Sequence, residues 1–197
     1  MPSIDLTAKN LFRTEGFGAA TLWVDLANSE LRNGFGAAKD LLDDPAWLRA
    51  FLTRWDFPLP KKETAPIAQL RRLRGLLRTL VEKTGKTAEL RGPDIEELNA
   101  WLRVAVIPQL VKNQNGLELR LQGAQIGWPA IIAAIAESFA KSLMEGKAGR
   151  LKFCANEGCR WVFIDRTKGN IRRWCNDATC GNRDRVRRSR AAQKRNK

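Results

Sequence analysis

The sequence predicts an α+β fold that is mostly α. A helical N-terminal domain with a small β-hairpin is followed by a small four-cysteine module, a hairpin and then a basic helix. Three observations carry this prediction. Apolar residues recur at helical spacing through most of the first three quarters of the chain. One stretch, "QLVKNQNGLELRLQ", switches to period-two alternation around an Asn-Gly turn signal. All four cysteines stand near the C-terminal end, in two pairs of identical spacing.

The elements follow in order. From Ala20, "ATLWVDLANSELRNGFG" starts strand-like and becomes a short helix that Asn33-Gly34 ends. "DDPAWLRAFLTRWDFP" is a helix with Asp44 as cap, Pro45 in the first position, and Trp47, Phe51 and Trp55 recurring at i+4; Pro58 and Pro60 close it. A long helix runs from about Pro66 to Lys83 with Leu70, Leu73, Leu77, Leu80 and Val81 on its apolar face, and Gly85 is its expected stop. "GPDIEELNAWLRVAV" gives another, with Ile95, Leu98, Trp101 and Leu102 inward. Leu117, Leu119 and Leu121 alternate in the hairpin. "WPAIIAAIAESFAKSLMEG" is opened by Pro129, buries Ile131, Ile132, Ile135, Phe139 and Leu143, and ends at Gly146. Residues 1–147 are thus expected to form one domain and 150–197 a second, with "GKAGR" (Gly146 to Arg150) as the linker.

Charge separates the same two parts. The 197-residue chain has a formal net charge of +14. Lys147 to Lys197 hold 16 Lys and Arg against 4 Asp and Glu, whereas residues 1–146 hold 19 against 17. A nearly neutral body carrying a cationic end is the footprint of a polyanion partner. "MPSIDLTAKNLF" lacks a basic segment leading into an apolar one, and the longest uncharged apolar-leaning run, Leu121 to Ala136, has 16 residues and contains Pro129. The expectation is a soluble, cytoplasmic protein with no membrane partner. With no histidine, no P-loop and no Gly-x-Ser-x-Gly, no enzyme is expected.

The cysteines read Cys154-x4-Cys159 and Cys175-x4-Cys180, with fifteen residues between the pairs. A reducing compartment favours thiolate ligands over disulfides, and two short loops that each offer two thiolates meet the tetrahedral demand of zinc. The reading is a zinc finger with one structural Zn2+ held by Cys154, Cys159, Cys175 and Cys180. Two disulfides, or reduced cysteines packed as small apolar groups, are the alternatives. Four cysteine ligands leave no open position for catalysis, and metal binding should supply much of the module's folding free energy. Trp161, Phe163 and Trp174 can form its small core, Trp174 serving as core and not as a base-stacking platform.

After Cys180, "GNRDRVRRSRAAQKRNK" reads as a helix with Asn182 as N-cap and Gly181 letting the backbone approach a thiolate. Arg183, Arg187, Arg190 and Lys194 fall on one stripe, flanked by Arg185, Arg188 and Arg195. A phosphate backbone would relieve the self-repulsion of such a helix and release counterions. The candidate nucleic-acid contacts are Arg172, Arg173, Arg183, Arg185, Arg187, Arg188, Arg190 and Lys194. One of Arg172 and Arg173 is expected to pair with Asp165 and brace the hairpin. Arg183, read as first-turn, opposes the helix dipole and needs an anion nearby. An RNA-binding protein and a zinc-stapled protein adaptor are the competing readings to a DNA binder.

In the body, Asp25, Asn28, Arg74 and Asn99 are candidates to line a polar pocket for a small-molecule effector. The competing reading makes Asp25 and Asn28 local caps, Arg74 a salt-bridge partner and Asn99 a helix-packing hydrogen bond. Arg71, Arg74 and Arg78 read as a solvated stripe opposite an apolar face. A homodimer is compatible with one small finger that reads few base pairs.

The segments "CANEGC", "RWVFID" and "RRWCNDATCGNR" resemble the CGNR zinc finger of bacteria. "VDLANSE", "LRRLRGLLR" and "ELNAWL" in the body resemble the ABATE domain that accompanies it in stress-induced transcription regulators. The resemblance implies a DNA-binding regulator whose N-terminal domain senses a ligand or stress. The sequence departs from the family pattern at Thr167-Lys168, where Ser-Arg is usual, and at Asn176-Asp177, where Ser-Met is frequent. Lys168 keeps a charge but loses bidentate geometry, and Asp177 puts a carboxylate beside the expected phosphate surface.

Overall fold

A computed structural model describes residues 22–32, 38–57, 64–87, 89–103, 106–114, 116–123 and 127–195. The expected breaks at Asn33-Gly34, Pro58 and Pro60 lie outside these residues.

The hub is α1 (Leu22–Ala27), a helix whose six residues are all buried. The first residues of its expected strand-like start lie outside the described residues, and from Leu22 onward the chain is helical instead. A helix covered on every side has no amphipathic period, and its Leu, Trp and Val then read as a buried strand. Trp23 meets Phe139 edge-on, with centroids 5.0 Å apart, and its Nε1 donates to Ser142 Oγ at 2.9 Å. A two-residue ladder, β1 (Glu30–Leu31) with β2 (Lys39–Asp40), follows.

α2 (Pro45–Arg54) begins as expected, with Asp44 accepting from the Ala46 N–H at 3.0 Å and Pro45 opening the helix. α3 (Ile67–Thr87) buries Leu70, Leu73, Leu77, Leu80 and Val81 but continues through Gly85. A methyl group on Gly85 would stand 3.4 Å from the Leu151 carbonyl oxygen, so α3 passes beside β5 at this residue and does not end there. The expected solvated stripe is also corrected. Arg74 is buried and donates to Ser29 Oγ and to both Asp40 oxygens, each at 2.8 Å, while Arg71 pairs with Asp40 at 2.9 Å. Burial would raise the Asp40 pKa, but the Arg74 and Arg71 hydrogen bonds outweigh it and hold the carboxyl well below its usual range.

α4 (Gly92–Leu102) turns Leu98 inward and half-buries Trp101 and Leu102, yet Ile95 is 46% exposed. The inward slot at this end belongs to Asp94, which is buried, pairs with Lys83 and accepts the Arg91 N–H. The antiparallel hairpin β3 (Val106–Asn113) and β4 (Gly116–Gly123) closes with Asn113 opposite Gly116, whose φ is +117°. Its Leu117 is exposed; the side chains of Leu119 and Leu121 lie outside the described residues. α5 (Trp128–Ser142) buries Ile131, Ile132, Ile135 and Phe139, with Leu143 partly covered beyond its end. Gly146, at φ +69°, breaks the following π-turn.

Gly146 to Arg150, expected as a linker, forms helical turns that lead directly into β5 (Leu151–Phe153), paired antiparallel with β6 (Val162–Ile164). Leu151, Trp161, Val162 and Ile164 join Leu77, Ile135 and Phe139 in one hydrophobic cluster. After β6 a π-turn, Asp177–Gly181, runs into α6 (Asn182–Arg195). No helix among the described residues is long and apolar enough to cross a membrane.

Candidate metal centre and nucleic-acid interface

The two cysteine loops are built alike. The Asn156 carbonyl accepts from the N–H groups of Cys159 (2.8 Å) and Arg160 (3.0 Å). The Asn176 carbonyl accepts from Cys180 (2.9 Å) and Gly181 (3.3 Å). Each asparagine side chain also closes its own loop, Asn156 Oδ1 on the Gly158 N–H at 3.1 Å and Asn176 Oδ1 on the Thr179 N–H at 3.0 Å. Asn176, one of the four residues that depart from the family pattern, is thus the cap that fixes the second loop.

These loops bring the four sulfurs of Cys154, Cys159, Cys175 and Cys180 within 4.8 Å of one another. Cys159 and Cys175 are 3.7 Å apart, and Cys175 and Cys180 are 3.8 Å apart. A tetrahedron with Zn–S of about 2.3 Å has edges of about 3.8 Å, so the cage fits zinc. The disulfide alternative is excluded, since a disulfide needs sulfurs about 2.05 Å apart. Hydrogen bonds from Cys159 and the other two thiols pull the Cys154 thiol far down, while Cys154 pushes Cys159 and Cys175 up. One cation bound by all four removes that competition. Cys154, Cys159 and Cys180 are buried and Cys175 is half-buried, so the centre is closed and its metal structural.

The finger is bound to the body by polar contacts as well as by the shared core. Asn28 Oδ1 accepts from the Val162 N–H at 2.7 Å, and Asn28 Nδ2 donates to the Val162 carbonyl at 2.9 Å. Val162 lies opposite Phe153 in a non-hydrogen-bonded position of the β5–β6 ladder, so both groups face away from β5 and onto Asn28. Arg78 donates to the Ala27 carbonyl at 2.9 Å and to that of Arg160 at 3.1 Å. Arg160 has φ +51°, and the guanidinium groups of Arg78 (5.0 Å) and Arg160 (4.6 Å) both lie over the Phe153 ring.

The four candidate pocket residues therefore do not converge. Asn28 holds the finger, and Asp25 accepts from Trp55 Nε1 at 2.9 Å and pairs with Arg54 at 3.1 Å. Arg74 ties α3 to Ser29 and Asp40, and Asn99 is exposed on α4. An open cleft of about 670 Å3 does lie between α3, α4 and α5, lined in part by Arg72, Gly75, Thr79, Glu97, Trp101 and Ile132.

Among the candidate contact residues, Arg172 turns inward. Its guanidinium bonds the Trp174 carbonyl at 2.8 Å and the Cys175 carbonyl, and stacks 5.0 Å over Phe163. Asp165 is not braced by either arginine side chain. Its carboxylate takes Lys152 Nζ (2.7 Å), the Thr167 N–H (2.9 Å) and hydroxyl (2.6 Å), and the backbone N–H of Arg172 (2.7 Å). Burial would raise the Asp165 pKa; Lys152 and Thr167 prevail and hold it well below its usual range. Sequence reasoning missed Lys152, whose alternation with Leu151 and Phe153 in a short strand was its one available signal. Arg173 is exposed over the Trp174 ring at 5.2 Å.

The helix starts earlier than expected. Asn182 has helical φ/ψ, and Asn176 is the cap, so Arg183 sits beyond the first turn. A methyl group on Gly181 would lie 2.3 Å from Asp177 Oδ1 and 3.3 Å from Trp174 Cε3; what glycine admits here is a carboxylate and an indole, not a thiolate. No residue from Asn182 to Gln193 is buried, and Asn182, Arg183, Val186, Arg187, Arg190 and Ala191 line one open concave face. That face contains three of the four residues of the expected stripe; the side chain of Lys194 lies outside the described residues. Arg185 pairs with Asp177 at 3.2 Å, and Arg187 (2.9 Å) and Arg188 (3.0 Å) both pair with Asp184. Arg190 has no ion-pair partner among the described residues.

Residues 150–193 match the family described as "CGNR zinc finger", and residues 20–146 match ABATE, described as "Putative stress-induced transcription regulator". No curated protein matches the chain.

Proposed function

We propose that this chain, which belongs to the ABATE family and carries a CGNR zinc finger, is a transcription regulator that binds DNA through the exposed face of α6. The observation that carries this reading is the helix itself. It is anchored at its N-terminal end to the zinc cage, has no buried residue from Asn182 to Gln193, and presents Arg183, Arg187 and Arg190 on one concave face. A helix that buries nothing and repeats arginine at phosphate-reaching positions is fitted to a polyanion. Asp177, which pairs with Arg185, is exposed and readily exchanged for a phosphate oxygen, whereas Asp184 is largely covered and leaves the exposed guanidinium groups of Arg187 and Arg188 free to reach a phosphate on their outer side.

The helical body is the regulatory part in this reading. The cleft between α3, α4 and α5 has the size of a small-molecule site, and a stress-linked effector would bind there and not at the four residues expected from sequence. The closed four-thiolate centre supports a structural metal and no catalysis. The cytoplasm, where thiols stay reduced, is the compartment that suits it.

The test is fluorescence anisotropy of zinc-loaded protein against random-sequence duplex DNA and RNA. Three phosphate contacts predict a slope of about −2.7 for log affinity against log salt, hence roughly fortyfold loss between 50 and 200 mM. Preference for DNA over RNA is expected. Absence of binding to either at low salt would overturn the nucleic-acid reading.

A further inference from the structure

One large apolar side chain in the finger stands mostly in solvent. Ile171 is 76% exposed at the end of the loop between β6 and the second cysteine pair. Residues 166–176 contain no acid, and Arg166, Lys168 and Arg173 around it are exposed. An isoleucine amid cations is a poor seat for an apolar protein partner, whose own surface would have to tolerate three positive charges.

The loop that carries it is held from both sides. The Thr167 hydroxyl accepts from the Ile171 N–H at 3.2 Å, and the buried Asp165 carboxylate takes the next N–H, that of Arg172, at 2.7 Å. The carbonyl of the preceding residue, Asn170, accepts from Lys152 Nζ at 2.6 Å, and Asn170 Nδ2 donates to the Gly149 carbonyl at 3.0 Å. Asn170 adopts φ +52°, a left-handed conformation that asparagine tolerates and that aims the following residue outward. Side chains then alternate: Arg172 turns in over Phe163, whereas Ile171 and Arg173 turn out. Backbone order of this kind costs conformational entropy, and here it fixes an isoleucine in water.

We infer that the 166–171 loop is a second DNA contact in which Ile171 acts as an apolar wedge, entering the base stack of a duplex from the minor groove. The flanking cations neutralise the phosphates on either side of the opened step. Wedges of this kind unstack a base step and kink the duplex, and they favour deformable pyrimidine–purine steps. The inference rests on the reading that the finger binds duplex DNA. It adds a source of sequence preference that does not depend on base contacts from α6.

The experiment uses the full zinc-loaded chain and duplexes carrying 2-aminopurine at TA steps, whose fluorescence rises on unstacking. Wild type is expected to raise it on binding. Ile171→Ser is expected to abolish the rise and weaken binding about tenfold, from the lost burial of one aliphatic side chain, with an unchanged salt slope because no charge is removed. Ile171→Leu should keep both signals. Lys168→Ala should instead lower the salt slope by about one. If wild type binds without a fluorescence rise, or Ile171→Ser binds within twofold of wild type, the wedge is wrong while DNA binding stands. If wild type binds no duplex at all, both readings fall.

Discussion

Replacing Asn28 by alanine removes both hydrogen bonds that its amide makes to Val162 and leaves that residue's N–H and carbonyl facing an apolar methyl group. Val162 is 1% exposed, so water reaches neither group without opening the packing between body and finger. Each orphaned buried group costs about 1–3 kcal/mol, and allowing for local relaxation the variant should lose about 3 kcal/mol. For a chain of this size that corresponds to a fall in Tm of roughly 6–12 °C. Circular dichroism melts would read the loss, and a chromogenic zinc chelator would read faster metal release, because β6 leads out of the first cysteine loop. Asn28→Asp is the sharper control. Its carboxylate still accepts from the Val162 N–H but brings an oxygen against the Val162 carbonyl, so it should be at least as damaging at neutral pH. Protonation restores a donor, which means a raised folded-state pKa and a stability deficit that shrinks as pH falls. A Tm drop under about 2 °C for Asn28→Ala, or unchanged zinc release, would refute the idea that this amide joins the two parts.

Other outcomes follow from the same geometry. Metal analysis should find one zinc per chain, and Cys175→Ser should lose it together with helical signal from the body, since both parts share one apolar cluster; unchanged melting in that variant would contradict the shared core. Asp40, held below its usual pKa by Arg74 and Arg71, stabilises the fold above the unfolded-state pKa and ceases to as pH falls through the folded one. Asp40→Asn should therefore cost about 2 kcal/mol at neutral pH and narrow its deficit from wild type in acid, read by urea denaturation at several pH values. Arg190→Ala, which breaks no ion pair among the described residues, should leave Tm unchanged and reduce the salt slope of DNA binding by about one.

The parts legible in the sequence were those with local causes. Asp44 and Pro45 announce α2 within three residues, and paired cysteines announce a metal because zinc needs them close together. The parts missed have distant causes. α1 is buried on every side by elements far along the chain, so no period marks it. Asn28 and Val162 are 134 positions apart, and nothing near either one signals the other. Gly85 looks like a stop until β5 is seen against it, and Arg78 looks solvated until Arg160 and Phe153 close over it. Asp177 looked like an obstacle to phosphate; in the fold it fills the space beside Gly181 and holds Arg185.

The contact between Asn28 and β6 also bears on how the protein avoids its own copies. β6 is a three-residue strand of a two-stranded ladder, with β5 on one side alone. An open strand edge is a template on which a second chain can pair and aggregation can begin. A single carboxamide meets Val162 with one donor and one acceptor, as a neighbouring strand would, and closes the edge at that residue. Without Asn28 only apolar packing would cover that edge, and each opening between body and finger would present it, beside the zinc cage, to a second chain.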